Sequence, residues 1–213
     1  MPLTIVLADD HAIIRDGLRA LLEGDEYTIV GEAADGYEAL EKVQALNPAL
    51  LIIDVGLPGL NGIEVTRKLC ATMPFLRVLA LSMHSENKYV IGMLQAGARA
   101  YLVKDTVFKE LYVAIQEVVQ GRRYLGKQIA SNVLDELLNG ANVPETPALA
   151  EKEREVLQLL AEGLTTKAIA ARLAISERTT ETHRARIMEK LNLHSVAELT
   201  KYAIREGITS LDR

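Results

Sequence analysis

The sequence predicts an α/β domain with a five-stranded, doubly wound parallel sheet, followed by a smaller all-α domain. Over residues 3–120, short aliphatic runs alternate strictly with segments of helical periodicity. Such alternation favours right-handed crossovers and a parallel sheet with helices on both faces. From about residue 149 onward only amphipathic helical segments follow. The chain of 213 residues is long enough for two domains of this kind.

Each predicted strand is followed by a predicted helix. The strands are 3–8, 27–33, 50–54, 77–82 and 98–103, and the helices are 13–22, 37–46, 63–72, 87–96 and 106–120. Asn47-Pro48 and Met73-Pro74 end two of these helices, and Gly97 ends a third. The run Leu50 to Ile53 is aliphatic throughout, which is typical of a strand buried on both faces.

Polar side chains lie at the carboxyl ends of four of these strands, the edge where open α/β sheets bind ligands. They are Asp9, Asp10, Asp54, Ser82 and Lys104. Converging carboxylates repel one another unless a cation lies among them, and all-oxygen ligation with a phosphate suits Mg²⁺. Because a lysine and a hydroxyl accompany them, the set indicates phosphoryl transfer to a carboxylate. Taken alone, Asp54 is as compatible with a cap of the following loop.

Residues 1–120 resemble the receiver domain of two-component systems. The resemblance rests on Asp9-Asp10, Ser82, Lys104 and a D-x-x-x-P-x-x-N-G loop formed by Asp54, Pro58, Asn61 and Gly62. It implies a flavodoxin-like fold in which Asp54 accepts phosphate from a partner histidine kinase. It also implies that Asp9, Asp10, Asp54 and the backbone carbonyl of Gly56 hold Mg²⁺, directly or through water.

The same resemblance assigns three residues to the phosphoryl group and its switch. Ser82 is expected to hydrogen-bond the phosphoryl group, Lys104 to pair with it, and Tyr101 to change rotamer with Ser82. Without the resemblance, Tyr101 is interpreted as a half-buried strand residue. Two positions depart from the family pattern. Gly56 stands where a larger side chain is common, and Asp105 replaces the proline that follows the lysine in many receivers, so no cis peptide is expected there.

Residues 123–148 are predicted to connect the two domains. Apolar residues at helical spacing predict an amphipathic helix over 129–138. Gly140, Pro144 and Pro147 indicate a flexible linker after it. The first domain is therefore placed at residues 1–122 and the second at 149–213.

The second domain is predicted to contain a helix-turn-helix, with a short helix at 167–173, a turn and a longer helix from Ser176 to about Leu191. The longer helix should enter the major groove of double-stranded DNA. Thr180 and Ile187 are placed on its buried face with Leu191. Ser176 is a candidate N-cap of the longer helix. A last helix is capped by Ser195, and its inward side chains are Val196, Leu199, Tyr202, Ala203 and Ile204.

The opposite arc of the longer helix holds Glu181, Thr182, Ala185, Arg186 and Glu189, Arg184 and Lys190 flank it, and His183 lies near the buried edge. The side chains expected to meet DNA belong to this arc or lie beside it. They are Thr179, Glu181, Thr182, His183, Arg184, Ala185, Arg186 and Lys190. Arg184 and Lys190 can reach phosphates, whereas Glu181, Thr182 and Ala185 can meet base edges. The alternative is a solvated helix face of mixed charge, and for His183 a packing role.

Residues 149–207 resemble the LuxR-type helix-turn-helix that ends response regulators of the NarL/FixJ class. The matching stretches are 153–157, 168–170, 175–176, 182–184 and 187–191. The resemblance implies that Thr166 and Lys167 approach phosphate, and that the last helix pairs two DNA-bound subunits.

The two resemblances together imply a cytoplasmic transcriptional regulator rather than an enzyme. Its expected partners are a histidine kinase, double-stranded DNA, the transcription machinery and, when active, a second copy of itself. Residues 1–147 hold 13 Lys and Arg against 19 Asp and Glu, whereas the remainder holds 11 against 10, which fits two domains with different partners.

Several classes are disfavoured. No apolar stretch approaches a membrane span and the N-terminus lacks the pattern of a secretory signal, so no membrane partner is expected. Cys70 is the only cysteine, which excludes an intrachain disulfide. A pseudo-receiver that works without phosphorylation remains the rival. A free-standing phosphatase would need an acid–base residue beyond Asp9 and Asp10, which metal binding already uses.

Overall fold

The computed structural model describes residues 2–127, 129–131, 133 and 149–209. The chain divides into two compact units, Met1–Ala141 and Asn142–Arg213. The first is built on a sheet and the second consists of helices. Most of the predicted connecting helix at 129–138 and of the linker up to 148 lies outside the described residues. The domain boundaries at 122 and 148 therefore stay a prediction.

A six-stranded parallel sheet forms the centre of the first unit, in the order β2-β1-β3-β4-β5-β6. The strands are β1 Leu3–Ala8, β2 Tyr27–Ala33, β3 Leu50–Asp54, β4 Arg77–Ser82, β5 Ala100–Val103 and β6 Tyr124–Leu125. Because every pair is parallel, each connection crosses over the sheet. The predicted doubly wound α/β class is confirmed.

The predicted number of five strands is wrong by one. β6 contains two residues, Tyr124 and Leu125, which pair with Ala100 and Tyr101 of β5. A run this short has neither the length nor the alternation by which a strand is recognised in a sequence. Because β6 lies beyond residue 122, the sheet extends past the boundary predicted for the first domain.

Helices cover both faces of the sheet. They are α1 Ala12–Leu22, α2 Gly36–Leu46, α3 Gly62–Thr72, α4 Asn87–Ala96 and α5 Val107–Val119. Successive residues of β3 point to opposite faces: Leu50 and Ile52 pack in the core with α1 and α5, and Leu51 and Ile53 in the core with α2, α3 and α4. Both cores exclude water from β3, so Asp54 emerges at the end of a fully buried strand.

The second unit contains four helices among its described residues. They are α6 Glu151–Ala161, α7 Thr166–Leu173, α8 Glu177–Leu191 and α9 Val196–Arg205. The predicted caps are present: Ser176 Oγ accepts from the N–H of Thr179, and Ser195 forms a reciprocal capping box with Glu198. The left-handed φ of 53° at Ala174 makes the turn between α7 and α8.

The faces of α8 and α9 largely follow the prediction. Thr180 and Ile187 are buried on the inner side of α8. Leu191 is only half-buried, and Val196, which was placed inward on α9, is 37% exposed. Both residues lie at helix ends, where less of the neighbouring helices covers them.

No helix in the described part of the chain combines the length and apolar character that a membrane span requires.

Candidate functional site

Four neighbouring strands bring the predicted polar residues to one edge of the sheet. Asp9 follows β1, Asp54 ends β3, Ser82 ends β4 and Lys104 follows β5. All four side chains are buried. Lys104 Nζ lies 2.7 Å from Asp9 Oδ2 and 3.0 Å from Asp54 Oδ2, so one ammonium bridges the two carboxylates. The sequence-predicted residues therefore converge in a single acidic pocket.

Asp10 and His11 complete the acidic pocket on the β1 side. Asp9, Asp10, His11 and Asp54 each place a potential ligand atom within 4.8 Å of the others. His11 Nδ1 is 2.9 Å from Asp10 Oδ1 and 3.2 Å from Asp9 Oδ1. Three carboxylates so close together provide the hard oxygen donors that suit Mg²⁺. The backbone N–H of Gly56 donates to Asp54 Oδ1 at 3.3 Å, which places Gly56 beside this carboxylate.

Burial and the neighbouring charges perturb the ionisation of the pocket. Desolvation raises the pKa of Asp54 above its usual value, with a further contribution from Asp9, and Lys104 only partly opposes this. Burial alone would lower the pKa of Lys104, but the carboxylates of Asp54 and Asp9 outweigh it and the pKa is raised. Lys104 therefore carries its positive charge, which holds the two carboxylates together.

The loop after β4 links Ser82 to Tyr101. The backbone N–H of His84 donates to Ser82 Oγ at 3.0 Å, and its carbonyl accepts from the hydroxyl of Tyr101 at 3.0 Å. The ring of His84 stacks on Tyr89 of α4 with centroids 4.8 Å apart. Tyr101 is fully buried, so its interpretation as a half-buried residue is wrong. The tyrosine packs in the core that includes α2, α3 and α4.

One contact to the acidic pocket was not predicted from the sequence. Arg15 Nη1 donates to the backbone carbonyl of Asp9 at 2.6 Å, while its Nε lies 3.3 Å from Glu32 Oε2. The sequence signal was an arginine one helical turn after His11, on the helix that follows the two aspartates. Helical periodicity is judged from the apolar residues of that segment alone, so it gives no information on the contact of Arg15.

The residues predicted to contact DNA lie in the second unit and are mostly exposed. Exposed are Lys167, Thr179, Glu181, Thr182, Ala185, Arg186 and Lys190, and half-buried are Thr166, His183 and Arg184. The capping contacts of Ser176 fix the start of α8, with its Oγ 2.8 Å from Thr179 Oγ1. The hydroxyl of Thr182 donates to the carbonyl of Arg178 at 2.8 Å within the same helix.

One of these residues, Lys190, makes a contact that the sequence did not indicate. Lys190 Nζ donates to Glu153 Oε2 of α6 at 2.7 Å. The same Glu153 oxygen accepts from the N–H of Ala150 at 2.8 Å, and Glu153 is only 4% exposed. The Nδ1 atom of His183 is buried and has no hydrogen-bond partner within the described part of the chain. Lys190 therefore joins α8 to α6 in this structure.

Comparison with known families covers both units. Residues 5–116 match the family model of the response regulator receiver domain, and residues 147–203 match that of bacterial regulatory proteins of the luxR family. The chain is a response regulator of the LuxR class. The resemblances stated from the sequence motifs are thereby confirmed, and so are the receiver and helix-turn-helix folds.

Relatives of this response regulator align with it along nearly its whole length. It is 35% identical to the oxygen regulatory protein NreC of Staphylococcus epidermidis, over 96% of this chain and 98% of that protein. A LuxR-family response regulator of Aurantimonas sp. SI85-9A1 has a similar structure, with 34% identity and a TM-score of 0.62 over 65% of this chain and 99% of that one.

A further similar structure is RcsB of Salmonella enterica serovar Typhimurium, bound to the promoter rprA in the presence of the phosphomimetic BeF₃⁻. It shows 25% identity and a TM-score of 0.62, over 95% of this chain and 98% of that chain. As a response regulator of this class, the chain is a phosphorylation-controlled, DNA-binding transcription regulator. The roles of individual residues remain predictions.

Proposed function

We propose that Asp54 is the phospho-acceptor of this response regulator and that its modification controls DNA binding by α8. The observation that carries the proposal is the pairing of Asp54 with Lys104 beside Asp9 at the carboxyl edge of the sheet. A buried cation already in contact with the acceptor carboxylate can neutralise charge that develops on a transferring phosphoryl group.

The donor is a phosphohistidine of a partner histidine kinase. A carboxylate oxygen of Asp54 attacks phosphorus, an O–P bond forms, the N–P bond breaks, and the electron pair returns to the histidine ring. Asp9, Asp10, Asp54 and the carbonyl of Gly56 would hold Mg²⁺, which when bound neutralises phosphoryl oxygens. Three clustered carboxylates fit that ion.

The switch is proposed to run through the loop after β4. The phosphoryl group attracts the hydroxyl of Ser82, which in this structure accepts from the N–H of His84. Tyr101 is held by the carbonyl of the same residue. Releasing one contact of His84 therefore weakens the other, and the loop and Tyr101 rearrange together.

DNA recognition is assigned to α8 and the start of α7. The exposed side chains of Glu181, Thr182 and Ala185 are proposed to read base edges in the major groove. The phosphate contacts are assigned to Thr166, Lys167, Thr179, His183, Arg184, Arg186 and Lys190. Lys190 can serve this role only by leaving Glu153.

The active form is proposed to be a homodimer. Large apolar side chains remain exposed on α1 and α5, namely Ile13, Phe108, Tyr112, Val113 and Val119. The two helices adjoin, because the hydroxyl of Tyr112 donates to the carbonyl of Leu21. A shared apolar face of this kind suits a second copy of the receiver, and α9 is proposed to pair the DNA-binding domains. The regulator would act in the cytoplasm, together with the transcription machinery.

The test compares wild type with Asp54→Ala in the presence of Mg²⁺ and acetyl phosphate or beryllofluoride. Wild type should incorporate phosphate, form dimers as measured by light scattering, and bind promoter DNA more tightly. Asp54→Ala should show none of these responses, while the exposed Asp25→Ala control should respond like wild type. Identical behaviour of wild type and Asp54→Ala would favour the rival pseudo-receiver, which works through a protein partner without phosphorylation.

A further inference from the structure

Arg15 connects the acidic pocket to a small network of ion pairs between α1 and β2. Its Nη1 donates to the carbonyl oxygen of Asp9 at 2.6 Å, and its Nε lies 3.3 Å from Glu32 Oε2 at the end of β2. The side chains are 18% and 22% exposed, so both are largely shielded from water. Glu32 also pairs with Arg19, one turn further along α1.

Arg15 binds the backbone carbonyl of Asp9, while other groups hold the remaining polar atoms of this residue. The N–H of Asp9 donates to the carbonyl of Ala33 at 3.1 Å, and its Oδ1 accepts from the N–H of His11 at 2.9 Å. Its Oδ2 pairs with Lys104. The carbonyl of Asp9 shares a rigid peptide plane with the N–H of Asp10. A donor on this carbonyl therefore fixes the orientation of the peptide from which the side chain of Asp10 projects.

We propose that Arg15 is a positioning residue for the divalent cation at this pocket. It contributes no ligand atom, since its donors face the backbone oxygen of Asp9 and the carboxylate of Glu32. It fixes the peptide that joins the two adjacent aspartates, and Glu32 in turn fixes the guanidinium. Such outer contacts orient metal ligands and affect affinity although they do not touch the ion. The inference rests on the proposed function, because that function supplies the cation.

Arg19 provides a matched control on the same helix. It pairs with the same Glu32 carboxylate and lies 3.7 Å from Glu23, yet no ion pair or hydrogen bond joins it to Asp9 in the described residues. Removing Arg19 therefore removes the same charge from α1 and one partner of Glu32, but leaves the carbonyl of Asp9 with its donor.

The experiment titrates Mg²⁺ into the full chain and follows backbone amides by NMR. Arg15→Gln should raise the Kd for Mg²⁺ about tenfold, the lower end of what outer contacts typically contribute. Arg19→Gln should change it less than about twofold, well below the effect of an outer contact. Arg15→Lys should recover part of the loss, because an ammonium can still donate to one oxygen. Glu32→Gln should weaken binding less than Arg15→Gln, and the double variant no more than Arg15→Gln alone.

A second reading separates positioning from general damage. Phosphorylation by acetyl phosphate should be slow in Arg15→Gln at limiting Mg²⁺ and return to the wild-type rate when Mg²⁺ saturates. Equal losses in Arg15→Gln and Arg19→Gln, or a defect that saturating Mg²⁺ does not restore, would overturn the inference. So would a wild-type Kd in Arg15→Gln.

Failure of the proposed function gives a different pattern. In that case wild type itself would bind no Mg²⁺ or leave Asp54 unmodified. The role of Arg15 is then still decided without metal, by the amide resonance of Asp10. Arg15→Gln should shift this resonance in the metal-free protein and Arg19→Gln should leave it in place. An unchanged Asp10 amide in both variants would contradict the inference.

Discussion

Among single residues, Lys104 bridges two buried carboxylates with one ammonium. Lys104→Met leaves Asp9 and Asp54 without their cation, and breaking a buried pair in this way typically costs about 3–5 kcal/mol. We expect the free energy of unfolding to fall by about that much in EDTA, and Mg²⁺ to bind more tightly than in wild type because it replaces the lost charge.

Urea unfolding with EDTA and with Mg²⁺ measures both effects. The exposed Lys109 offers a matched control, since Lys109→Met removes the same charge from the first unit without touching the pocket. A Lys104→Met protein that is as stable as wild type in EDTA would contradict the bridging role of the ammonium.

A second residue-scale prediction separates Lys190 from Arg186 on α8. Lys190→Gln leaves the nearly buried carboxylate of Glu153 without its cation, so stability should fall by about 1–3 kcal/mol. Because Lys190 is proposed to leave Glu153 for a phosphate when DNA binds, Lys190→Gln should also reduce the slope of log K against log salt by about 1. Arg186→Gln should leave stability unchanged and reduce the slope of log K against log salt by about 1, as expected for one lost phosphate contact.

Electrophoretic mobility shifts over a range of salt concentrations, with thermal unfolding of the same proteins, provide both readings. An unchanged slope for Lys190→Gln would show that Lys190 stays on Glu153 when DNA binds, and would remove it from the proposed phosphate contacts.

These residues also show what the sequence could determine at this scale. Asp9, Asp54, Ser82 and Lys104 were placed correctly at one edge because each follows a strand, and parallel strands end at the same edge. The partner of Lys190 could not be found in this way, because it depends on how α6 packs against α8. The contact of Arg15 to a backbone carbonyl leaves no trace in hydrophobic periodicity.

Among the elements, the start of α2 presses against the loop that follows Asp54. The N–H of Gly36 donates to the carbonyl of Pro58 at 3.1 Å, and a Cβ at Gly36 would lie 1.8 Å from the carbonyl oxygen of Leu60. Because the blocking atom belongs to the backbone, a side chain at Gly36 would have to displace either the start of α2 or the loop. Gly36→Ala should therefore destabilise the first unit by about 1–3 kcal/mol or more and displace the loop beside Asp54.

Gly24→Ala is the control for this prediction. A Cβ at Gly24 meets nothing within 4 Å, so the change should be neutral or stabilise by up to about 1 kcal/mol through the unfolded chain. Chemical unfolding and the rate of Asp54 phosphorylation should both distinguish the two variants. Equal stability of Gly36→Ala and Gly24→Ala would mean that α2 and the loop can separate without cost.

Element by element, the sequence predicted what local chemistry specifies. The caps at Ser176 and Ser195 were found because their side chains bond to their own helices. β6 was missed because its two residues become a strand only by pairing with β5. The exposure of Val196 and Leu191 depends on where neighbouring helices end, which no local pattern records.

For the whole molecule, the uneven charge corresponds to two units with different ligands. The acidic excess lies in residues 1–147, where clustered carboxylates suit a cation, and the remainder is nearly balanced. A balance of 11 basic against 10 acidic residues gives little attraction to DNA overall. Affinity must therefore come from the placement of cations on α7 and α8, and from the doubling of contacts in a dimer.

Because the chain divides into two compact units, each ligand should stabilise its own unit. Calorimetry of the full chain should show two unfolding transitions. Mg²⁺ with beryllofluoride should raise the temperature of one transition, because it adds about 2.7 kcal/mol to the free energy of unfolding at a hundredfold excess over Kd. Promoter DNA should raise the temperature of the other transition. The tyrosines identify the transitions: six of the seven lie between residues 27 and 124, and Tyr202 alone lies in the second unit, so tyrosine fluorescence follows mainly the first.

Asp54→Ala is the discriminating variant for this last prediction. It should abolish the shift caused by beryllofluoride and retain the shift caused by DNA, since α8 and its cap are unaltered. In wild type, beryllofluoride added before DNA should increase the DNA-dependent shift, because linkage requires the two ligands to favour each other equally. A single transition whose temperature both ligands raise, also in Asp54→Ala, would contradict this prediction. It would mean that the two units do not unfold separately and that their coupling does not depend on Asp54.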